Sequence, residues 1–154
     1  MSSASILAEK IRSRTARVGV VGLGYVGLPL AVEFASAGFH VIGIDLSQSK
    51  VDKVNAGESY VGDISSEALA PLVKKGLLRA TTDFSAISEM DTVNICVPTP
   101  LRKTKDPDMS YIVAACEEIA RYSHEGMLVI LESTTYPGTT DELVLPMLER
   151  NGLR

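Results

Sequence analysis

Short apolar runs recur along the chain, separated by longer segments in which apolar residues repeat with a helical period. The runs are Arg17–Val21, His40–Ile44, Leu78–Ala80, Thr92–Val97 and Met127–Leu131. Between the last two runs, apolar residues from Ile112 to Ile119 recur every three or four positions, with charged residues on the other side. Apolar strands that alternate with helices are typical of a parallel sheet covered on both faces. The pattern therefore predicts an α/β fold with a doubly wound parallel sheet, of which five strands are present.

The two ends of the chain lie outside this alternation. Residues 1–16 place Ile6, Leu7 and Ile11 among charged residues, which predicts a short leading helix before a domain that spans residues 17–154. Thr139–Arg150 has a helical pattern, and the following Asn-Gly pair is a typical helix stop. A six-stranded doubly wound sheet needs one more strand after this helix. We therefore expect this sequence to be cut from a longer chain, without its sixth strand.

Composition restricts the classes of function. Of the 154 residues, 45% are hydrophobic and 22% are charged, as in an ordinary globular domain. Fifteen Lys+Arg against nineteen Asp+Glu give a net charge of −4, which disfavours binding to nucleic acid or to an anionic membrane surface. The uncharged run Val18–Val32 is short for a membrane span and contains four glycines and a proline. We expect neither a nucleic-acid partner nor a membrane partner.

The few cysteines and histidines point away from disulfides and metals. Cys96 and Cys116 are twenty residues apart, and together with His40 and His124 they form no metal-ligand spacing. Cys96 falls within a predicted strand and Cys116 on the apolar face of a predicted helix, so both are expected to be buried thiols rather than nucleophiles. The sequence predicts no metal site and a reducing, cytoplasmic location.

A glycine-rich motif follows the first predicted strand directly and begins a helix. It consists of Gly22, Leu23, Gly24, Tyr25, Val26 and Gly27. In such a loop the first glycine makes a tight turn, the second lets the backbone approach a pyrophosphate, and the third lets helix and strand pack closely. The same glycines would also suit a tight turn without a ligand. The strand before the loop, the helix after it and an acidic residue after the next strand favour a Rossmann-type dinucleotide site.

That acidic residue is Asp45, which ends the second predicted strand eighteen residues after Gly27. A carboxylate in this position can accept hydrogen bonds from both hydroxyls of an adenosine ribose, and it repels a 2′-phosphate, so the expected cofactor is NAD rather than NADP. Lys50 is placed to close over the same ribose, although a single exposed lysine is more often solvated surface. Pro29 fits less well, because we place it past the first helical turn, where it would remove a hydrogen bond.

Hydroxyl-bearing residues follow the fourth and fifth predicted strands. Ligands of open α/β sheets bind outside the carboxyl ends of the strands, so Thr99 and Thr134 are candidates for contact with the nicotinamide half of the cofactor or with the substrate. The alternative, that these hydroxyls only satisfy backbone groups in turns, is equally consistent with their position. The nearby cations of the 102–105 loop are placed to meet a diphosphate, but such a run is more often solvated.

Five stretches resemble the UDP-glucose/GDP-mannose dehydrogenase family. They are VGLGYVGLPLA (21–31), GIDLSQSKVDKVNAG (43–57), CVPTPL (96–101), DPDMSYI (106–112) and LESTTYPGTT (131–140), and the resemblance covers residues 4–154. The last three are most similar to the UDP-N-acetylglucosamine 6-dehydrogenase branch. UDP-glucose dehydrogenases more typically read KST-x-P at the last motif, and the UDP-N-acetylmannosamine branch tends to read EST-S-P-V.

The resemblance implies an NAD-dependent enzyme that oxidises the C6 alcohol of a UDP-sugar, here UDP-N-acetylglucosamine, to a carboxylate in two hydride transfers. It implies NAD contacts by the Gly22–Gly27 loop, Asp45, Lys50, Thr99 and Thr134, and a catalytic role for Thr134 in positioning the reactive water. The family's nucleophilic cysteine, its lysine and asparagine, and its glutamate match no position here, so this chain alone is expected to be inactive. UDP-glucose and UDP-N-acetylmannosamine remain alternative substrates, and a non-catalytic NAD-binding module remains an alternative function. The resemblance also implies a homo-oligomer for the full-length protein.

Overall fold

The computed structural model describes residues 1–153. Its strands are β1 (Arg17–Val21), β2 (His40–Ile44), β3 (Leu78–Thr81), β4 (Thr92–Ile95) and β5 (Leu128–Leu131). Its α-helices are α1 (Ser3–Arg12), α2 (Gly27–Ser36), α3 (Gln48–Asn55), α4 (Ser66–Lys74), α5 (Ser110–Tyr122) and α6 (Leu145–Leu148), and a 3₁₀ helix covers Phe84–Glu89. None of these helices is long and apolar enough to cross a membrane.

The strands form one sheet in the order β3-β2-β1-β4-β5, and every pair is parallel. The chain builds β1, β2 and β3 outward in one direction and then returns to place β4 on the other side of β1. The strand order therefore reverses between β1 and β4, where doubly wound sheets bind their ligands. The predicted α/β fold with a Rossmann-type parallel sheet is confirmed, and a sixth strand stays a prediction.

The side chains of β1 alternate between two apolar clusters, because neighbouring residues of a strand face opposite sides of the sheet. Val20 belongs to one cluster with Leu28 of α2 and Leu69 of α4. The next residue, Val21, belongs to the other cluster with Ile112 of α5. All five side chains are buried. The two covered faces hold the sheet rigidly beneath the loops at its carboxyl edge.

The fourth strand is shorter than predicted. It ends at Ile95, whereas the apolar run predicted Val97 as its last residue. The Val97 carbonyl accepts a hydrogen bond from the Ser133 hydroxyl at 2.8 Å. A side chain of the loop after β5 therefore takes the place of the backbone donor that a neighbouring strand would supply. The prediction failed because the apolar pattern continues past the place where the backbone leaves the sheet.

The predicted helix Thr139–Arg150 is irregular. A π-helical turn covers Thr140–Val144, followed by α6 and a 3₁₀ turn over Glu149–Asn151. Pro146 has no N–H, so a regular α-helical bond from this position to the carbonyl four residues earlier cannot form. Gly152, with φ of 83°, then ends the segment in a left-handed conformation, as the Asn-Gly pair predicted.

Pro29 is the third residue of α2, which begins at Gly27. The Leu28 N–H donates to the Gly24 carbonyl oxygen and the Leu30 N–H to the Val26 carbonyl oxygen, both at 3.1 Å, so Pro29 leaves out the one bond between them, to Tyr25. Pro29 therefore lies within the first turn of α2 rather than past it, but it removes one hydrogen bond, as expected.

Candidate functional site

A cleft of about 610 Å³ lies at the carboxyl edge of the sheet, where the strand order reverses. The loops after β1, β2, β4 and β5 form its walls, together with the segment between α3 and α4. Its lining residues are Gly22–Val26, Asp45, Lys50, Tyr60, Val61, Cys96–Thr99 and Glu132–Thr134. Every predicted site residue except Gly27 lines this cleft.

Gly22 and Gly27 are required by packing within the fold. Gly22 has φ of 95°, and a Cβ atom there would lie 2.5 Å from the carbonyl oxygen of Cys96. A Cβ atom on Gly27 would overlap the carbonyl oxygen of Gly22. The glycine loop therefore packs directly against the start of α2 and against the chain that leaves β4.

Gly24, by contrast, is not required by any contact among the residues that the structure describes. A Cβ atom at this position would meet none of their atoms within 4 Å. The N–H groups of Gly24, Tyr25 and Val26 donate no hydrogen bond to the residues that the structure describes, and they lie just before the N-terminus of α2. Free N–H groups at a helix N-terminus, together with the partial positive charge of the helix dipole, bind phosphate groups. The loop therefore fits the pyrophosphate of a dinucleotide.

The Asp45 carboxylate is held in place by two backbone N–H groups. Its Oδ2 accepts from Leu23 and its Oδ1 from Ser47, both at 2.9 Å. Each carboxylate oxygen has two lone pairs, so each can accept one further hydrogen bond. The half-buried carboxylate at the end of β2 therefore fits the two hydroxyls of a ribose.

Tyr60 lines the same end of the cleft and was missed by the sequence analysis. Its hydroxyl donates to the carbonyl oxygen of Leu23 at 2.6 Å, and Lys50 Nζ lies 6.0 Å from the centre of its ring. Burial, and then the charge of Asp45, raise the pKa of Tyr60 to about 12. No sequence signal singles out this residue, because its contact with the glycine loop spans 37 positions.

At the other end of the cleft, the turn-capping role falls to Ser133 rather than to the two threonines. The Ser133 hydroxyl contacts the carbonyl oxygens of Ile95 and Val97. The hydroxyls of Thr99 and Thr134 form no hydrogen bond with any residue in the described part of the chain. Both line the cleft, so both hydroxyls are available to a ligand.

The two cysteines are buried, as expected for unreactive thiols. Burial, and then the charge of Glu132, raise the pKa of the Cys96 thiol to about 12, and burial raises that of Cys116 to about 11. Neither thiol is ionised near neutral pH, so neither is an activated nucleophile. Within residues 1–153, no group of three or more His, Cys, Asp or Glu side chains is arranged to hold a metal ion.

The cationic loop after Thr99 does not line the cleft. Arg102 pairs with Asp108 at 3.3 Å, and Lys103 and Lys105 are exposed. The loop is therefore a solvated surface in this structure, which agrees with the favoured interpretation of the charged run.

Residues 16–153 match the NAD binding domain of the UDP-glucose/GDP-mannose dehydrogenase family. This chain belongs to that family. The predicted family, its class as NAD-dependent dehydrogenases and NAD as the cofactor of this domain are thereby confirmed.

Relatives of this chain differ in the nucleotide sugar for which they are named. A UDP-N-acetyl-D-mannosamine dehydrogenase of Salmonella typhi is 43% identical over 127 residues, which cover 82% of this chain and 30% of the relative. A GDP-mannose 6-dehydrogenase of Pseudomonas aeruginosa is 39% identical over 138 residues, which cover 86% of this chain and 32% of the relative. The solved structure of an NDP-N-acetyl-D-galactosaminuronic acid dehydrogenase from Methanosarcina mazei Go1 matches with a TM-score of 0.84 and 37% identity, covering 98% of this chain and 34% of that one. This chain spans about a third of the length of the relatives it matches.

Proposed function

We propose that this chain is the NAD-binding part of a nucleotide-sugar 6-dehydrogenase that oxidises the C6 alcohol of a UDP-N-acetylhexosamine to a carboxylate. NAD would supply the hydride acceptor for both oxidation steps. The observation that carries the proposal is Gly24. Its missing side chain serves no packing purpose, it opens the cleft beside free N–H groups, and Asp45 stands at the same end.

Three parts of the chain hold the cofactor in this proposal. The Gly22–Gly27 loop binds the pyrophosphate, the Asp45 carboxylate accepts the ribose hydroxyls, and Lys50 closes over that ribose. With the adenosine half at the end of β2 and the pyrophosphate above β1, the nicotinamide half extends over the loops after β4 and β5.

Thr99 and Thr134 face the nicotinamide half in this proposal. The Thr134 hydroxyl, which has no hydrogen bond to the described residues, holds the water used in proton transfer or in hydrolysis of a covalent intermediate. We therefore assign the catalytic role within this chain to Thr134 and a cofactor-binding role to Thr99. Two observations support these roles. Both threonines line the cleft, and the 131–140 motif resembles that of the UDP-glucose/GDP-mannose dehydrogenase family.

UDP-N-acetylglucosamine is the substrate we propose, because the CVPTPL, DPDMSYI and LESTTYPGTT stretches resemble that branch. UDP-N-acetylmannosamine is the second candidate, because the Salmonella typhi relative is named for it. NADH formation by the full-length enzyme with UDP-N-acetylglucosamine, UDP-N-acetylmannosamine, UDP-glucose and GDP-mannose tests the choice. We expect the highest kcat/KM with UDP-N-acetylglucosamine, and a higher value with any other sugar would overturn that assignment.

A non-catalytic NAD-binding module is the competing class of function. The same experiment separates it from the enzyme, since a binding module would bind NAD but form no NADH with any of the four sugars. Titration of the chain with NAD and NADP by calorimetry tests the cofactor site itself, and absence of NAD binding would refute both classes.

A further inference from the structure

The peptide unit between Leu23 and Gly24 is held from behind by a side chain of another segment. Tyr60 Oη donates to the Leu23 carbonyl oxygen at 2.6 Å. The preceding peptide unit is held as well, because the Leu23 N–H donates to Asp45 Oδ2 at 2.9 Å. The backbone on both sides of the Leu23 Cα atom is therefore fixed before any ligand binds.

This geometry determines the direction of the Gly24 N–H. A peptide unit is planar and trans, so its C=O and N–H point in opposite directions. Fixing the Leu23 carbonyl towards Tyr60 therefore points the Gly24 N–H away from Tyr60. The hydrogen bond from Tyr60 also polarises the peptide unit, which makes the Gly24 N–H a better donor. This N–H has no partner in the described part of the chain, and Gly24 borders open space in the cleft.

Tyr60 is itself held firmly enough to act in this way. Ser59 and Val61 on either side close a tight turn, in which the Ser59 hydroxyl contacts both the N–H and the carbonyl oxygen of Val61 at 3.2 and 3.1 Å. The Ser59 N–H donates to the Ser66 hydroxyl at the start of α4 at 3.0 Å. With a pKa of about 12, the phenol stays protonated near neutral pH and can only donate to the carbonyl.

We propose that Tyr60 is a positioning residue for the cofactor's pyrophosphate, because its hydroxyl sets the Gly24 N–H through the Leu23 carbonyl. The proposal rests on the proposed NAD site and adds to it a residue from outside the glycine motif. Tyr60 reaches the phosphate only through the peptide unit, so it supports binding without touching the reacting atoms.

The test is Tyr60→Phe, which keeps the ring and removes the donor. Calorimetric titration with ADP and with NAD should show about five- to tenfold weaker binding, the range expected for one lost hydrogen bond. Adenosine has the ribose but no phosphate, so its affinity for the variant, measured by competition with ADP, should lie within about twofold of its affinity for the wild type. In the ligand-free variant the NMR signal of the Gly24 amide proton should move upfield, because the peptide unit is less polarised. Tyr122→Phe, on α5 and outside the cleft, is the matched control and should change none of these values.

Two outcomes would overturn the proposal while leaving the NAD site standing. The first is an ADP affinity in Tyr60→Phe within about twofold of the wild type. The second is an equal loss of affinity for ADP and for adenosine, which would mean that Tyr60 only forms part of the cleft wall. A wild-type chain that binds neither ADP nor NAD would overturn the NAD site and this proposal together. Should Tyr60→Phe not fold, Tyr60→Met fills similar space without a donor, and the comparison of ADP with adenosine is repeated on it. A loss of ADP affinity that adenosine does not share supports the proposal, and ADP affinity within about twofold of the wild type contradicts it.

Discussion

The two ends of the cleft differ in whether their polar side chains already form hydrogen bonds within the protein. At the β2 end, Asp45 and Tyr60 both form hydrogen bonds to the backbone of Leu23. At the β4–β5 end, the Thr99 and Thr134 hydroxyls have no partner among residues 1–153, and Thr134 is exposed.

This difference separates a preorganised region from one that is completed by its ligands. Groups already fixed by the fold lose little conformational entropy when a ligand binds, so the β2 end is suited to tight cofactor binding. Hydroxyls that are free to rotate at the β4–β5 end can adapt to a reacting group or to a water molecule. We therefore expect substitutions at the two ends to affect different measurements.

The largest expected effect comes from Gly27, which packs against Gly22 in the glycine loop. In Gly27→Ala the new methyl group overlaps the carbonyl oxygen of Gly22, so we expect a loss of about 3 kcal/mol or more in the free energy of unfolding, or no folded protein. Urea denaturation measures this loss.

The matched control is Gly24→Ala, because a methyl group there meets no atom of residues 1–153 within 4 Å. Its free energy of unfolding should stay within about 1 kcal/mol of the wild type. NAD affinity should nevertheless fall by more than about tenfold, since the methyl group fills the space needed by the pyrophosphate. Normal NAD affinity in Gly24→Ala would mean that this space is not the phosphate site.

At the β4–β5 end, Thr134→Ala in the full-length enzyme should lower kcat by about 10- to 10³-fold, with a smaller effect on KM for the sugar. Thr134→Ser keeps the hydroxyl and should recover part of the rate. Thr135→Ala is the neighbouring control and should matter much less. Stopped-flow traces of NADH formation, compared with the melting temperatures, separate a catalytic from a structural role. An unchanged kcat in Thr134→Ala, with a lower Tm, would favour the structural role.

Asp45→Ala should weaken NAD binding by about 2 kcal/mol, or about thirtyfold, because the ribose loses its charged acceptor and Leu23 loses one of its two anchors. Wild type should bind NAD more tightly than NADP, because the carboxylate repels the 2′-phosphate. Calorimetric titration with both cofactors measures the two effects. Asp45→Asn, which keeps one acceptor oxygen, should lie between Ala and wild type. Equal affinities of the wild type for NAD and NADP would contradict the proposal that Asp45 binds the ribose hydroxyls.

The smallest effect concerns Asp91, a carboxylate at the amino edge of the sheet that is also fixed by a backbone N–H. Partial burial alone would raise its pKa, but hydrogen bonds from Lys10 and from the Arg17 N–H, and the charge of Lys10, outweigh burial and lower the pKa below its usual value. The resulting stabilisation is complete above the unfolded-state pKa of about 3.9 and is lost as the pH falls through the lower folded-state value. The contribution should be about 1 kcal/mol or less, because the Lys10 side chain is 44% exposed and water screens the pair.

Urea denaturation of wild type and Asp91→Asn between neutral and acidic pH checks this expectation. The stability difference should be full at neutral pH and should shrink below about pH 4. NAD affinity at neutral pH should be the same in both proteins, because Asp91 lies at the opposite edge from the cleft. A reduced NAD affinity would show that the preorganisation extends through the sheet.

The sequence by itself located the five strands and pointed to many of the residues that line the cleft. The three central strands, β1, β2 and β4, are buried on both faces and are therefore mostly apolar, and the apolar runs located all five strands to within two residues. The glycine motif and Asp45 were predictable because each depends on chain neighbours, a strand before it and a loop after it. The packing of Gly22 and Gly27 agrees with that prediction.

Only the tertiary structure decided which polar groups already have partners. Ser133 and Thr134 are adjacent and alike in sequence, yet only the Ser133 hydroxyl contacts the chain beyond β4, 36 positions away. Tyr60 reaches Leu23 across 37 positions, and nothing local marks it. Such partners depend on which loops the strand order brings together at the carboxyl edge. Strand order arises from packing across the whole chain, so local patterns do not contain this information.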